Sequence, residues 1–133
     1  MSLPTGSPPY KVVPSAGFQR DLRDLKKSYK GQNERSAFEA QVLGLLQGLT
    51  IEPRPAESRW EPWPGQTLAG DLEFRKLVFV LHNRQGAKGQ GRLMYLVDDP
   101  RRLICLVYLY THADFVKRPP DRQIRDRLDD LDE

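Results

Sequence analysis

The residues with the clearest capacity for chemistry are an arginine and a histidine on two strand-like segments. Arg92 opens the segment Arg92-Leu93-Met94-Tyr95, and His112 lies near the end of Leu103–Phe115. A histidine titrates near neutral pH and can act as a general base or acid, while an arginine can stabilise negative charge in a transition state. These residue types suit attack of a ribose 2′-hydroxyl on the adjacent phosphate.

Other cationic and aromatic residues could support the same reaction. Arg75 and Lys76 are neighbours on a preceding strand, so they point to opposite faces and only one of them can join a given site. We predict Lys76 as a third catalytic residue beside Arg92 and His112. We predict substrate-binding roles for five further residues, which are Arg75, Arg84, Lys88, Tyr110 and Lys117.

Each candidate also has a structural interpretation. Arg92 can be an exposed or paired charge at a strand edge, and Tyr110 can be a sheet-packing residue. His112 follows Thr111 and precedes Asp114, so it can be a turn histidine held by hydrogen bonds. The residues alone leave these alternatives open.

Familiar metal and nucleotide signatures are missing. Two histidines and one cysteine cannot make a standard Cys/His zinc site unaided. The glycine-rich segment 86–91 lacks Walker spacing and leads into a strand, so it offers no helix N-terminus to a phosphate. We therefore expect no metal ion and no cofactor.

Length and composition predict one domain with a basic body. The 133 residues carry a net charge of +3, but residues 1–118 hold 18 Lys and Arg against 12 Asp and Glu. This excess is compatible with a polyanionic ligand, and a solvated mixed-charge surface is the alternative. The lone Cys105 suits a reducing compartment, and no apolar run approaches the length of a membrane span. We predict a cytoplasmic protein with no membrane partner.

Apolar periodicity places the elements in order. Residues 1–9 are predicted to be a flexible tail, and residues 10–133 a single domain. Tyr10–Val13 reads as a strand, Ser15 as the cap of a helix that Gly31 ends, and Ser36-Ala37-Phe38-Glu39 as the capping box of a second helix, with Asn33 an alternative cap. Residues 51–70 contain four prolines and are predicted to be a long connection.

The rest of the chain predicts a meander and a final helix. Segments 73–82, 91–97 and 103–115 have strand composition and short links, so they predict a three-stranded antiparallel meander that the first strand joins at one edge. The helical hairpin would cover one face of this antiparallel sheet, which is an α+β domain. A last helix capped by Asp121 has a thin apolar stripe and is expected to dock weakly or fray.

Three motifs together resemble the RelE/ParE superfamily of type II toxin–antitoxin toxins, over roughly residues 10–121. They are Leu68-Ala69-Gly70 followed by Phe74-Arg75-Lys76-Leu77, then Arg92-Leu93-Met94-Tyr95, then Tyr110-Thr111-His112-Ala113-Asp114-Phe115. The resemblance implies the fold described above and a cognate antitoxin. It also implies a metal-independent endoribonuclease that cleaves ribosome-bound mRNA.

By this resemblance, Arg92 would bind the scissile phosphate, His112 would be the general acid or base, and Arg75 or Lys76 would supply a second cation. After Lys76 the strand is mostly Val, Phe and Leu, which favours a histidine-centred mechanism over a lysine-centred one. Arg92 and His112 should then share one sheet face with side-chain ends roughly 6–10 Å apart. The alternatives are a non-catalytic or ParE-like member that binds a protein such as DNA gyrase, or a plain RNA-binding module.

Overall fold

The fold is built around one five-stranded sheet in the order β1-β5-β4-β3-β2. It is taken from a computed structural model, which describes residues 9–65, 68 and 71–131. The predicted tail lies outside the described residues, apart from Pro9. The elements are β1 (Lys11–Pro14), α1 (Ala16–Lys27), α2 (Gln32–Ile51), β2 (Ser58–Trp60), β3 (Leu72–Val80), β4 (Gln90–Asp98), β5 (Leu103–Thr111) and α3 (Asp121–Asp126), with 3-10 turns at Ala87–Gly89 and Arg127–Asp130.

The α+β class and the antiparallel β3-β4-β5 meander are confirmed. The prediction of a wholly antiparallel sheet is wrong, because β1 pairs with β5 in the parallel direction. β1 lies at the outer edge of β5, and the two helices separate it from the rest of the strands in the chain. The sheet is therefore mixed.

The strand β2 was not predicted from the sequence, and it lies in the proline-rich connection. Its three residues pair antiparallel with Arg75–Leu77 at the sheet edge. The prolines at 53, 55, 62 and 64 exclude a helix there, but they leave Ser58–Trp60 between them free to pair, and an edge strand tolerates such flanking prolines. This correction matters for function, because β2 borders the candidate site.

The two long helices begin differently from each other. Ser15 caps α1 as predicted, since its Oγ accepts a hydrogen bond from the Phe18 N–H at 3.0 Å. The helix α2 starts at Gln32, one turn before the predicted capping box, so the Ser36 prediction is wrong. Gly31 has φ 88° and makes the sharp turn between the helices, and the chain is helical directly after it.

The sheet has a hydrophobic core on each face. On the helical face, which α1 and α2 cover, the core includes Phe18, Leu49, Leu93, Tyr95 and Leu106. We call the other side the second face; its core includes Phe74, Met94, Leu96, Val107 and Ile124. Burial on both faces explains why β4 and β5 are almost continuously apolar.

The last helix docks firmly, against our expectation that it would fray. Ile124 is fully buried on the second face. The next turn places the Arg127 guanidinium 3.7 Å from the centre of the Tyr108 ring and pairs it with Asp21 at 2.7 Å. Gly17 makes this possible, since a β-carbon there would lie 2.1 Å from the Arg127 side chain. Tertiary ion pairing thus adds to a thin apolar stripe, whose Ile124, Leu128 and Leu131 pack on the second face.

Among the described residues, no helix combines the length and the apolar character needed to cross a membrane.

Candidate active site

An open cleft of about 430 Å³ lies on the second face, at the edge where β2, β3 and β4 meet. Its lining holds three cations and one carboxylate: Arg59, Lys76, Arg92 and Glu57, together with Ala56 and Val78. The cleft is therefore a positively charged concave surface built mainly from strand residues.

Strand register brings these residues together. Arg59 pairs directly with Lys76 across β2 and β3, and Val78 pairs with Arg92 across β3 and β4. Arg92 in turn pairs with Tyr110 on β5. Directly opposed residues point to the same face with their Cβ atoms about 5 Å apart. Lys76 itself lies opposite Met94, so the pairs Arg59–Lys76 and Arg92–Tyr110 are joined diagonally, between Lys76 and Arg92. We call these four polar side chains the row.

A carboxylate from the proline-rich connection, that of Glu61, forms ion pairs beside this row. Glu61 pairs with the Lys76 Nζ at 3.5 Å and with the Arg118 Nη1 at 3.1 Å. Arg118 also donates to the Pro62 carbonyl at 2.7 Å and to Asp121 at 3.0 Å. These bonds tie the segment after β5 to the segment before β3, beside Lys76.

Three buried polar atoms near the row have no hydrogen-bond partner among the described residues. They are the Arg92 Nε, the Tyr110 hydroxyl and the His112 Nδ1. Buried polar atoms in folded proteins are nearly always satisfied, so orphaned groups require an explanation. All three atoms are inaccessible to solvent, so a ligand in the cleft would reach them only if a neighbouring side chain moved.

The Tyr110 hydroxyl is a neutral donor at physiological pH. Burial raises the pKa of Tyr110 to about 12, and the charge of Glu61 acts in the same direction. The positive charges of Arg92 and Arg118 oppose this rise but do not cancel it. Tyr110 therefore cannot serve as a base near neutral pH in the free protein, but it can donate a hydrogen bond to an anionic oxygen.

His112 lies two residues after Tyr110, which is the cross-strand partner of Arg92. The strand β5 ends at Thr111, and the His112 N–H donates to the Gln90 carbonyl at 3.0 Å. The Asp114 carboxylate accepts from the Thr111 N–H at 3.1 Å, so it holds the turn through Thr111. Register thus places His112 beside Gln90, two positions along β4 from Arg92.

Arg75 does not join the cleft. It lies on the helical face, where its Nη1 bonds Glu73 at 2.5 Å and its Nε donates to the Ser58 Oγ at 3.0 Å. The predicted choice between the two neighbours therefore falls on Lys76, which shares the face of Arg92.

The remaining predicted residues lie elsewhere or at the margin. The Arg84 guanidinium lies 3.9 Å from the centre of the Tyr29 ring and donates to the Ser28 Oγ at 2.6 Å, at the end of α1. Lys88 is exposed on the loop before β4, and Lys117 is exposed after β5. None of the three lines the cleft.

Sequence reasoning missed Arg59, Glu61 and Arg118. Arg59 was hidden because the pairing of β2 with β3 is non-local and the segment reads as a loop. Glu61 and Arg118 are 57 positions apart and meet only through the fold. Their proximity to Trp60, Trp63 and a pair of prolines gave no local signal of a charged site.

Within the described ranges, no group of three or more His, Cys, Asp or Glu side chains could hold a metal ion. Comparison of the chain with protein-family models, curated proteins and solved structures finds no match. The functional argument therefore depends on the residues and their geometry.

Proposed function

We propose that this protein is a RelE/ParE-like toxin of a type II toxin–antitoxin system, acting as a metal-independent endoribonuclease on ribosome-bound mRNA in the cytoplasm. The observation that carries the proposal is the row of Arg59, Lys76, Arg92 and Tyr110 along one sheet face, of which the three cations line an open cleft. The strand–helix–helix–meander order and the three motifs described above support the family assignment. The strand β2 and the parallel pairing of β1 were not part of the predicted arrangement.

The row suits the charge changes of RNA cleavage. Attack by the 2′-hydroxyl on the adjacent phosphate forms a new P–O bond and places a further negative charge on the phosphoryl oxygens. Arg92 and Lys76 would stabilise that charge, and the neutral Tyr110 hydroxyl would donate to one of the oxygens. The P–O bond to the 5′-oxygen then breaks, leaving a 2′,3′-cyclic phosphate and a 5′-hydroxyl end.

Two groups at the cleft could move the protons. The 2′-hydroxyl must lose a proton to a base, and the leaving 5′-oxygen must gain one from an acid. We assign one of these transfers to His112, whose Nδ1 has no partner among the described residues. We assign the other transfer to the Glu61 carboxylate, which pairs with Lys76 and Arg118 beside the cleft.

The test combines induction of the chain with mapping of RNA ends. Cells expressing the protein should stop growing, and their mRNA should carry new 5′ ends within codons. Arg92→Ala should remove both effects, while Lys30→Ala, an exposed lysine at the end of α1, should keep both. Co-expression of the cognate antitoxin should restore growth.

Other outcomes would contradict the proposal. Intact mRNA with altered plasmid supercoiling would favour a protein target such as gyrase. RNA binding without cleavage or growth arrest would favour a plain RNA-binding module. Full toxicity of both Arg92→Ala and His112→Ala would remove the cleft as the site.

A further inference from the structure

A second basic concavity lies at the junction of α1 and α2. This groove has a volume of about 590 Å³, and all its lining residues have charged or amide side chains: Arg23, Lys26, Lys27, Gln32 and Arg35. It shares no lining residue with the cleft that contains Lys76 and Arg92. The groove is therefore a separate surface, which the proposed cleavage reaction does not use.

The groove extends along an exposed stripe of α1. Arg20, Arg23 and Lys27 are spaced three and four residues apart, which places them on one side of the helix, away from the buried Phe18. The stripe is about 10 Å long at 1.5 Å per residue. A double-stranded nucleic acid presents several phosphates over that length.

Tertiary contacts orient two arginines at the end of the groove that lies at the turn between α1 and α2. The Arg35 Nε donates to the Tyr29 carbonyl at 2.9 Å, which holds the guanidinium at the turn between the helices. Arg84, from the loop after β3, stacks on the Tyr29 ring and bonds Ser28. Two arginines distant in sequence are thus oriented beside the basic stripe.

The carboxylates nearby neutralise only part of this charge. Lys26 pairs with Glu39 at 2.6 Å, and Arg23 approaches Asp24 at 3.8 Å with both side chains more than half exposed. Exposed pairs of this kind contribute little. Asp21 is turned inward to Arg127, so it does not offset the stripe. The groove therefore carries a net positive charge.

We infer that this groove docks the phosphate backbone of double-helical RNA. The groove offers cations but no aromatic side chain for base stacking, so it lacks what single-stranded RNA recognition requires. It also lacks apolar lining residues, which an interfacial membrane surface would insert. Evenly spaced cations fit a regular phosphate backbone, which is bound without reference to base sequence.

The experiment measures binding of the full chain to a fluorescein-labelled RNA duplex as a function of salt. Each phosphate contact contributes roughly 0.9 to the slope of log K against log salt concentration, so Arg23→Ala/Lys27→Ala should lower the slope by about 2. Affinity at low salt should fall at least about fivefold. The matched control is Lys11→Ala/Arg122→Ala, which removes two exposed charges elsewhere and should leave the slope unchanged.

Further variants keep the result interpretable. Arg23→Lys/Lys27→Arg preserves the charge and should bind as the parent does, which separates loss of charge from loss of fold. Arg92→Ala should bind the duplex normally even if it cleaves nothing, so failure of docking and failure of cleavage are distinguishable. The inference is overturned if the control loses as much affinity as the groove variant. It is also overturned if single-stranded RNA or anionic vesicles bind in preference to the duplex with the same dependence on Arg23 and Lys27.

Discussion

Two charged clusters lie at different places on the same sheet, and they are organised in opposite ways. At the start of β3, Arg54 pairs with Glu73 and with Asp99, both at 2.8 Å, and Arg75 pairs with Glu73. Tyr10 donates its hydroxyl proton to Asp99. In this network the cations and carboxylates match, and the groups complete one another's hydrogen bonds.

The cleft contains similar residue types without that balance. Arg59, Lys76 and Arg92 line it with Glu57 as the only carboxylate among its lining residues, and the Arg92 Nε and Tyr110 hydroxyl lack partners among the described residues. A network in which every cation pairs with a carboxylate stabilises the fold, whereas a cluster with an excess of cations can bind an external anion. The comparison shows that structural and functional charges differ less in residue type than in whether each cation has a carboxylate partner within the fold.

The largest expected effect is the loss of cleavage in Lys76→Gln. Removing one charge contact from the transition state should lower the cleavage rate by about 10²–10³. Stability should change little, because Lys76 faces the cleft and its one ion pair within the described part of the chain is with Glu61 at 3.5 Å. Single-turnover cleavage of a labelled mRNA on ribosomes measures the rate, and urea unfolding measures stability. A large loss of stability with normal cleavage would reverse the assignment of the two clusters.

The neighbouring residue should behave in the opposite way. Arg75→Gln breaks the bonds to Glu73 and Ser58, whose polar atoms then lose partners on the helical face. We expect a loss of about 1–3 kcal/mol in the free energy of unfolding. Cleavage per folded molecule should remain within about twofold of the parent, since Arg75 lies away from the cleft. Urea denaturation at neutral pH gives the first value, and a fall in cleavage matching that of Lys76→Gln would contradict the comparison.

The third prediction concerns alkaline stability. The pKa of Tyr110 is raised by burial to about 12 in the folded protein, against about 10 in the unfolded chain. The folded state therefore holds the proton more tightly, and this contribution is complete below pH 10 and is lost between pH 10 and 12. Tyr110→Phe should lose less stability over that interval, by up to about 2 kcal/mol. Parallel unfolding curves from pH 8 to 12 would show it, and identical slopes for both proteins would refute it.

The smallest effect is expected at the acidic side of the balanced network. The pKa of Glu73 is lowered, because hydrogen bonds from Arg54 and Arg75 together outweigh the desolvation that raises it. Its contribution is present above the ordinary glutamate range and is lost as the pH falls below about 4. Glu73→Gln should cost about 1 kcal/mol at pH 7 and progressively less toward pH 3. A difference that grows on acidification would show that the network is not held by the charged carboxylate.

Local patterns predicted the parts of the fold that depend on local physics. Strand composition and a short link predicted the hairpin of β4 and β5, and the hydroxyl of Ser15 predicted the start of α1. The pairing of β2 and the parallel contact of β1 were missed, because both join segments far apart in the chain. The docking of α3 was missed for the same reason, since Arg127 meets Asp21 only through the fold.

For the site, the sequence by itself determined that Arg75 and Lys76 face opposite ways, because side chains alternate along any strand. It also predicted that Arg92 and His112 lie close together in the hairpin; the structure instead pairs Arg92 with Tyr110 and brings the His112 N–H to the Gln90 carbonyl. Only the tertiary structure decided which face became the cleft, because α1 and α2 cover the other face and leave Arg75 to an internal partner. The same folding brought Arg59, Glu61 and Arg118 beside Lys76, through contacts that no local pattern encodes.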